Sequence, residues 1–398
     1  MVLQVLDDLN ALMEKYGIDA LFTAGSAFKM ADLFWLTGFR SNDEIAFIQN
    51  INDKPIVAAG FHTLSRVQKE SRIKTTHDVT DVYLKLMKEN KRPDENLDVI
   101  FDDILRNVFT GNTIGIPEET SSRVLDTVQK LGYDVKVVSD IMMDARATKS
   151  ESEIQAIKKA GDATTSAISR VLVMVKDSDI GPKKTLMYKG KPLTVKDVKL
   201  TLEHFLLDQG AHSAEDTILA VGYKGFDWHY LGAPEDELKA EVPIILDVFP
   251  VLKMERYVAD VTRTFIKGSV SEKIRHMFES VKAAADSSVD ALKDGAKIDD
   301  VNLACAETLK EAGYESRRLN PAATEGMTHG LGHGIGLAVH EGPSMYRRED
   351  HFTVGNVMAI EPGVYFKEIG GVRIENDYAV TKGKAKLLTT GLDELLYL

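Results

Sequence analysis

Five residues with metal-ligating side chains stand in the last two-fifths of the sequence: Asp247, Asp260, His333, Glu361 and Glu375. Four carboxylates and one imidazole are a ligand set that can hold two divalent metal ions close together. Two such ions can share one water molecule and make it a nucleophile at neutral pH. The side-chain chemistry therefore indicates a hydrolase that works with two metal ions.

The four carboxylates form two pairs, and each pair fits a β-hairpin with one acid on each strand. Asp247 ends an apolar run, and Asp260 begins a second strand-like run thirteen residues later. Glu361 and Glu375 are fourteen residues apart, and the predicted turn between them lies at residues 370–371. Cross-strand neighbours have Cβ atoms roughly 4.5–5.5 Å apart, which is close enough for two acids to share metal ions.

Strand periodicity extends the predicted site to two further residues. Side chains alternate between the two faces of a strand, so we expect Thr262 on the face of Asp260 and Arg373 on the face of Glu375. Four convergent carboxylates repel one another, and a pair of metal ions or a buried arginine must compensate.

Three histidines accompany the acids. His333 lies in the glycine-rich segment 328–336, where we expect the glycines to allow close approach of the backbone and positive φ angles. His340 follows seven residues later, and His229 lies eighteen residues before Asp247. Any one of these residues alone is typical of an ordinary core or surface position, whereas the joint pattern of two carboxylate hairpins and three histidines indicates a site.

The composition limits the kinds of partner. The chain has 398 residues with a formal net charge of −12, which argues against a nucleic-acid partner because binding to phosphate depends on clustered Lys and Arg. No apolar run approaches the roughly 20 residues of a membrane span, so no membrane partner is expected. The first residues lack the basic start of a signal peptide, so the cytoplasm is the expected location. Cys305 is the only cysteine, and its helical apolar setting predicts a buried thiol.

The length predicts more than one domain. We expect an α/β domain over residues 1–144, in which residues 44–49 and 56–59 form a hairpin, without a glycine-rich phosphate loop. A second domain is predicted over residues 145–398, and it begins with a long amphipathic helix capped by Ser150 and Glu153. Thr194 with Asp197 predicts the cap of a further helix.

The combined motifs resemble those of the prolidase and aminopeptidase P family of metallopeptidases, which have the pita-bread fold. The matching segments are Asp247…Asp260-Val-Thr-Arg, His329-Gly-Leu-Gly-His333-Gly-Ile-Gly…His340-Glu, Ile-Glu361-Pro-Gly and Arg373-Ile-Glu375. The resemblance covers the chain from about residue 146, and the segment 34–39 also resembles the accessory domain of the two-domain branch. The implied fold is an α/β N-terminal domain and an α+β C-terminal pita-bread domain with a curved, mainly antiparallel sheet flanked by helices.

The resemblance implies a reaction and a role for each motif residue. The five ligands would hold two Mn²⁺ or Co²⁺ ions, with Asp260 and Glu375 bridging both, and a metal-bridging hydroxide would attack the peptide bond before proline. The substrates would be proline-containing dipeptides or short peptides, and the protein would be a homodimer.

The other motif residues would serve the catalytic steps. Glu361 would shuttle a proton, His340 would stabilise the oxyanion, and His229 and His329 would contact substrate. Arg373 would orient the acidic ligands.

The sequence departs from the family after the His-Glu segment. Many relatives have a basic residue where this chain has Ser344, and Arg347 or Arg348 could compensate. This position helps to bind a substrate carboxylate, so the choice between dipeptidase and aminopeptidase stays open, with dipeptidase favoured. The alternatives are a creatinase-like C–N hydrolase of non-peptide substrates and a catalytically inactive binding protein, both of which typically lose metal ligands that this chain keeps.

Overall fold

A computed structural model of the chain describes residues 2–392 and 396–398. The chain divides into two compact units, Met1–Arg146 and Ala147–Leu398. The division lies two residues after the boundary predicted from the sequence.

The first unit is built around a six-stranded mixed sheet with the strand order β4-β3-β2-β1-β5-β6. Its strands are β1 (Ala20–Ser26), β2 (Glu44–Asn50), β3 (Ile56–Ala59), β4 (Thr76–Asp78), β5 (Thr113–Pro117) and β6 (Asp134–Val138). Its helices are α1 (Val2–Tyr16), α2 (Ala31–Thr37), α3 (Phe61–Glu70), α4 (Thr80–Lys88), α5 (Leu97–Val108), α6 (Ser122–Lys130) and α7 (Ile141–Ala147), the last of which crosses into the second unit. The predicted hairpin is confirmed, because β2 and β3 pair in antiparallel register.

The second unit contains small, mainly antiparallel sheets together with four long helices. The helices are α8 (Glu151–Lys176), α9 (Val195–Asp208), α10 (Glu272–Ala291) and α11 (Ile298–Glu311). The strands are β7 (Asp179–Ile180), β8 (Leu186–Tyr188), β9 (Lys191–Pro192), β10 (Ala211–Ser213), β11 (Ile218–Val221), β12 (Ile244–Val248), β13 (Pro250–Leu252), β14 (Val261–Ile266), β15 (Gly332–Gly334), β16 (Val357–Ile360), β17 (Gly363–Phe366), β18 (Gly370–Arg373), β19 (Asn376–Ala379), β20 (Lys386–Leu387) and β21 (Leu396–Tyr397).

Two four-stranded sheets of this unit carry the predicted ligands. Their strand orders are β11-β12-β14-β21 and β15-β16-β19-β20. Helices α8 and α9 pack on the first sheet, and α10 and α11 pack near the second, which gives two apolar clusters of buried residues. This is the pita-bread arrangement that the sequence motifs predict.

Both predicted helix caps are confirmed. The Ser150 hydroxyl accepts from the backbone N–H of Glu153, whose carboxylate accepts from the Ser150 N–H at 2.7 Å. Thr194 and Asp197 make the same reciprocal pair at the start of α9. Such a pair satisfies two N–H groups that a helix start otherwise leaves unbonded.

The single cysteine is a buried thiol, as predicted. Cys305 is 1% exposed on α11, and burial raises the pKa of its thiol to about 12. Among the described residues, no helix is both long and apolar enough to cross a membrane.

Replacement of Ser150 by Ala removes one half of the cap of α8. We expect the free energy of unfolding to fall by about 1 kcal/mol. For a unit of this size the unfolding midpoint would fall by roughly 2–4 °C in calorimetry. The control is Ser166→Ala at an exposed position inside the same helix, which should not lower stability, because Ala has a higher helix propensity than Ser. Equal effects of the two substitutions would contradict the capping role.

Candidate metal centre

The first carboxylate pair is positioned by β12 and β14. These strands are antiparallel, and Asp247 in β12 lies opposite Thr262 in β14. Asp260 immediately precedes β14 and is 3% exposed. The strands keep both acids inside the unit because every residue of β12 and β14 is buried. The predicted hairpin is therefore present, with β13 in its connection.

The second pair flanks a nested hairpin. Strands β16 and β19 pair with Ile360 opposite Asn376, so Glu361 and Glu375 occupy the next opposed positions. The segment between the two acids folds into its own hairpin, β17–β18. The turn predicted at residues 370–371 is wrong, because both glycines lie within β18 and the connection runs through residues 367–369. Glycine is needed at residue 370 because a Cβ atom there would lie 2.0 Å from the carbonyl oxygen of Gly222.

His333 is carried by β15, which pairs with β16 so that His333 lies opposite Ala359. A Cβ atom at Gly332 would lie 2.0 Å from the carbonyl oxygen of Ala359. The glycines of this segment thus serve close backbone approach, as predicted. The positive φ angles that these glycines also permit are not used, since residues 330, 332, 334 and 336 all lack them.

These elements bring the predicted ligands together around His333. Its Nε2 lies 3.7 Å from Asp260 Oδ2, 3.8 Å from Glu375 Oε1 and 4.0 Å from Glu361 Oε1. The ligand atoms of Asp260, His333 and Glu375 all lie within 4.8 Å of one another. The carboxylate of Asp247 lies near this group and raises the pKa of both Asp260 and Glu375.

The donor set fits divalent metal ions. Asp247 Oδ1, Asp260 Oδ1 and Glu375 Oε1 are buried and accept no hydrogen bond from any described residue. A buried anionic oxygen without a donor is unfavourable unless a cation meets it. Carboxylates around one imidazole, with such oxygens among them, are a suitable site for divalent ions.

The electrostatics of the carboxylates point to the same need for positive charge. Burial raises the pKa of Asp260 well above its ordinary range, and the carboxylates of Glu375 and Asp247 raise it further. Burial, then Glu361 and Asp247, raise the pKa of Glu375 in the same way. Burial raises the pKa of Glu361 to about 7, although Arg373 opposes the shift. The protein's own groups therefore do not supply enough positive charge to keep all these acids ionised.

Arg373 lies where strand periodicity predicts. Its Nη2 donates to Asp247 Oδ2 at 2.7 Å and its Nε to Thr262 Oγ1 at 3.1 Å. Thr262 in turn donates to Glu375 Oε2 at 2.7 Å. Arg373 thus holds an acid of each pair, one directly and one through a hydroxyl group.

The hydrogen bonds continue from Arg373 to His329 through Tyr365. Arg373 Nη1 donates to the Tyr365 hydroxyl at 2.9 Å, and that hydroxyl lies 2.9 Å from His329 Nε2. His329 Nδ1 lies 2.7 Å from the carbonyl oxygen of Gly330, which requires Nδ1 to carry the proton and Nε2 to accept from Tyr365. Burial, followed by Arg373, lowers the pKa of His329 to about 3, so the ring is neutral.

The other two predicted substrate histidines are exposed. The His340 ring lies 4.1 Å from the ring of His333, centroid to centroid, and its nitrogens have no partner among the described residues. His229 follows Trp228, whose ring lies 5.9 Å from the His229 ring and 5.7 Å from the His329 ring. The three histidines thus border the metal-ligand group, and two of them have free imidazole nitrogens.

Two buried residues that contact the site escaped the sequence-based prediction. Tyr365 is fully buried, and nothing in the segment that follows Glu361 distinguishes its phenol from a core residue. Asp377 is also fully buried, and its Oδ2 accepts from the backbone N–H of Asp260 at 2.9 Å. Strand periodicity was a usable signal for Asp377, because it lies two residues after Glu375 and so on the same face.

Known proteins resemble this chain in sequence and in fold. It is 31% identical to the Xaa-Pro dipeptidase of Pyrococcus horikoshii over 265 residues, 66% of this chain and 68% of that protein. It is 28% identical to the Xaa-Pro dipeptidase of Pyrococcus furiosus over 300 residues, 74% of this chain and 79% of that protein. A solved Xaa-Pro dipeptidase from Bacillus anthracis superimposes with a TM-score of 0.82 at 21% identity over all of both chains.

The model of the metallopeptidase family M24 matches residues 155–382, more than half of the chain and all of the candidate metal centre. The family match and the convergent carboxylates agree on a peptidase that depends on divalent metal. The chain belongs to metallopeptidase family M24.

Proposed function

We propose that the protein is a two-metal Xaa-Pro dipeptidase. The observation that carries this proposal is the set of buried, unpartnered carboxylate oxygens of Asp247, Asp260 and Glu375 beside His333. The substrate class is supported by the two relatives that are Xaa-Pro dipeptidases and that match most of this chain. The creatinase-like and inactive alternatives are not favoured, since all five predicted ligands are retained.

The metal ions would be held by Asp247, Asp260, His333, Glu361 and Glu375, with Mn²⁺ or Co²⁺ as the proposed metals. Carboxylate oxygens with a single imidazole suit ions of this kind. When bound, a pair of such ions makes a water molecule nucleophilic at neutral pH.

Glu361 would move the proton. Its side chain is 21% exposed, more than those of Asp260 and Glu375, so it reaches the open part of the site. A carboxylate within reach of the attacking water can accept its proton and return it to the leaving group. Glu361 would therefore take a proton from the attacking water and give it to the nitrogen of the leaving proline.

The three histidines would have different roles in substrate binding. His340 is exposed and has a free N–H, so it would donate to the carbonyl oxygen where negative charge develops. His229 would contact the substrate from the side of Trp228. His329 uses both ring nitrogens within the protein, so its ring would form a wall of the substrate pocket, a more limited role than the polar contact implied by the family resemblance.

Arg373 would act as a positioning residue. It holds Asp247 directly and Glu375 through Thr262, and it also holds the Tyr365 hydroxyl that supports His329. One guanidinium group therefore fixes metal ligands and a wall of the pocket at the same time.

The substrate proline would lie against aromatic side chains. Phe226, Trp228 and Tyr230 pack against a buried cluster that includes Tyr365, whose ring contacts that of His329. The proline nitrogen has no N–H and the ring fixes φ, so recognition must rest on apolar contact with the ring. This patch is the apolar surface that adjoins the metal ligands.

A cytoplasmic location and a homodimeric assembly belong to the same proposal. Both rest on the family resemblance.

Removal of metal should abolish hydrolysis. A chelated, dialysed preparation should not cleave Xaa-Pro dipeptides, and Mn²⁺ or Co²⁺ should restore turnover. Bound metal should also raise the unfolding temperature in a concentration-dependent way, because it binds the folded state. Full turnover in a preparation shown to be metal-free by elemental analysis would refute the mechanism.

Replacement of Glu361 by Gln should cripple turnover and preserve the fold. Glutamine keeps the shape of the side chain and cannot take up a proton. Turnover, metal content and the circular dichroism spectrum should be measured on one preparation. Near-normal turnover at normal metal content would remove the shuttle role from Glu361.

Replacement of His340 by Ala should slow turnover by about 10²- to 10³-fold, the usual cost of losing one oxyanion donor. The exposed ring can be removed without leaving a cavity, so the melting temperature and the metal content should stay at wild-type values. A variant that lost its metals would assign His340 a role in metal binding. A variant that kept its turnover would assign it no role in the reaction.

A further inference from the structure

Arg317 is a cation that lies beside the aromatic wall of the site. Its guanidinium carbon is 6.0 Å from the centre of the Trp228 ring. Its Nε donates to the carbonyl oxygen of Ala323 at 3.2 Å, and its Nη1 donates to that of Thr328 at 3.0 Å. Both acceptors are uncharged, so these bonds fix the orientation of the guanidinium and leave its charge uncompensated.

These contacts connect Arg317 to the residues that border the metal ligands. Thr328 is the residue before His329, whose Nδ1 lies 3.9 Å from Glu361 Oε2. The Trp228 ring contacts the rings of both His229 and His329. Arg317 therefore lies one side chain away from the histidines on the substrate side of the centre.

No described carboxylate pairs with Arg317, whereas several other cations of this region are paired. Lys224 is paired with Asp236, and Arg373 with Asp247. Arg318 is paired with Asp299, and Arg348 lies 4.0 Å from the same carboxylate. The Nη2 group of Arg317 has no acceptor in the part of the chain that the structure describes, and the side chain is exposed to solvent.

We propose that Arg317 binds the C-terminal carboxylate of a dipeptide substrate and so makes the enzyme selective for dipeptides. This inference rests on the proposed Xaa-Pro dipeptidase function. In a dipeptide the free carboxylate lies one residue, about 3.5 Å, beyond the bond to be cut. A free charged group so close to the reacting centre requires a cation at the edge of the site.

The chemistry of the side chain suits this role. The planar guanidinium presents paired N–H donors that match the two oxygens of a carboxylate. The residue after His-Glu-Gly-Pro in this chain is the uncharged Ser344, so that position contributes no cation. A longer peptide has an amide at the place of the dipeptide carboxylate and gains nothing from Arg317.

The test compares one dipeptide in two chemical forms, Ala-Pro with a free carboxylate and Ala-Pro amide. For the wild-type enzyme we expect a higher kcat/KM on the acid than on the amide. Arg317→Met should lower kcat/KM on the acid by about 10- to 100-fold, the usual range for a hydrogen-bonded charge. The loss should appear mainly in KM, and kcat/KM on the amide should stay unchanged.

Lys367→Met is the matched control. Lys367 is also exposed, and its Nζ lies 5.9 Å from the ring of Phe226 in the same aromatic cluster, so this change removes one positive charge from the neighbouring surface. In this variant the ratio of kcat/KM on the acid to kcat/KM on the amide should stay at the wild-type value. An equal loss in both variants would mean that a general field of positive charge attracts the acid, which would overturn the assignment to Arg317.

The outcomes separate this inference from the proposed function. Absence of cleavage of both substrates by the metal-loaded wild-type enzyme would refute the dipeptidase function itself. Cleavage of both, with the same acid-to-amide ratio in wild type and Arg317→Met, would refute the role of Arg317 alone. If Arg317→Met does not fold, Arg317→Lys replaces it in the test. Lysine keeps the positive charge and loses the paired donors. The ratio of kcat/KM on the acid to kcat/KM on the amide should therefore be lower than in the wild type and still above 1.

Discussion

The structure depends on the burial of several carboxylates in one place. Taking an ionised carboxylate out of water costs on the order of several kcal/mol, and like charges nearby add to that cost. Asp260, Glu375 and Asp377 are 3%, 2% and 0% exposed, and Arg373 forms an ion pair with the neighbouring Asp247. The fold therefore holds together a set of groups that would otherwise repel, and divalent metal ions complete its charge balance. The largest electrostatic repulsion in the fold therefore lies at the proposed catalytic site.

Backbone pairing between strands holds these acids close together. Each metal ligand lies in or next to a strand whose partner carries another ligand, so ladder hydrogen bonds fix their relative positions. The loop that ends in His340 is held in a different way, by a buried ion pair. Glu341 accepts from the N–H groups of Leu337 and Ala338, and Lys149 lies 3.0 Å from the same carboxylate and 2.8 Å from the carbonyl oxygen of Gly342. Breaking a buried pair by removing one partner is strongly destabilising, which favours a fixed position for this loop.

The substrate side of the site combines an aromatic wall with unpaired polar groups. Trp228 contacts His229, His329 and Tyr365, and the guanidinium carbon of Arg317 lies 6.0 Å from the centre of the Trp228 ring. Proline offers an apolar ring, and a dipeptide offers two charged ends, so this combination suits a small zwitterionic substrate. The proposed dipeptide selectivity follows from a cation at the site edge, in the same way that the proposed hydrolysis follows from the acids at its centre.

The sequence by itself determined the two strand pairs, the caps of α8 and α9 and the acids that meet beside His333. These features depend on residue type and on spacings of two, three, thirteen or fourteen residues along one segment. It did not determine the nested hairpin that places Gly370 and Gly371 inside a strand, since their close approach to Gly222 and Gly225 involves residues about 150 positions away. It also could not identify Tyr365 or Arg317, which look like an ordinary core phenol and an ordinary surface cation. Their partners, His329 and Trp228, come from distant segments, and only the tertiary structure brings such segments within hydrogen-bonding or stacking distance.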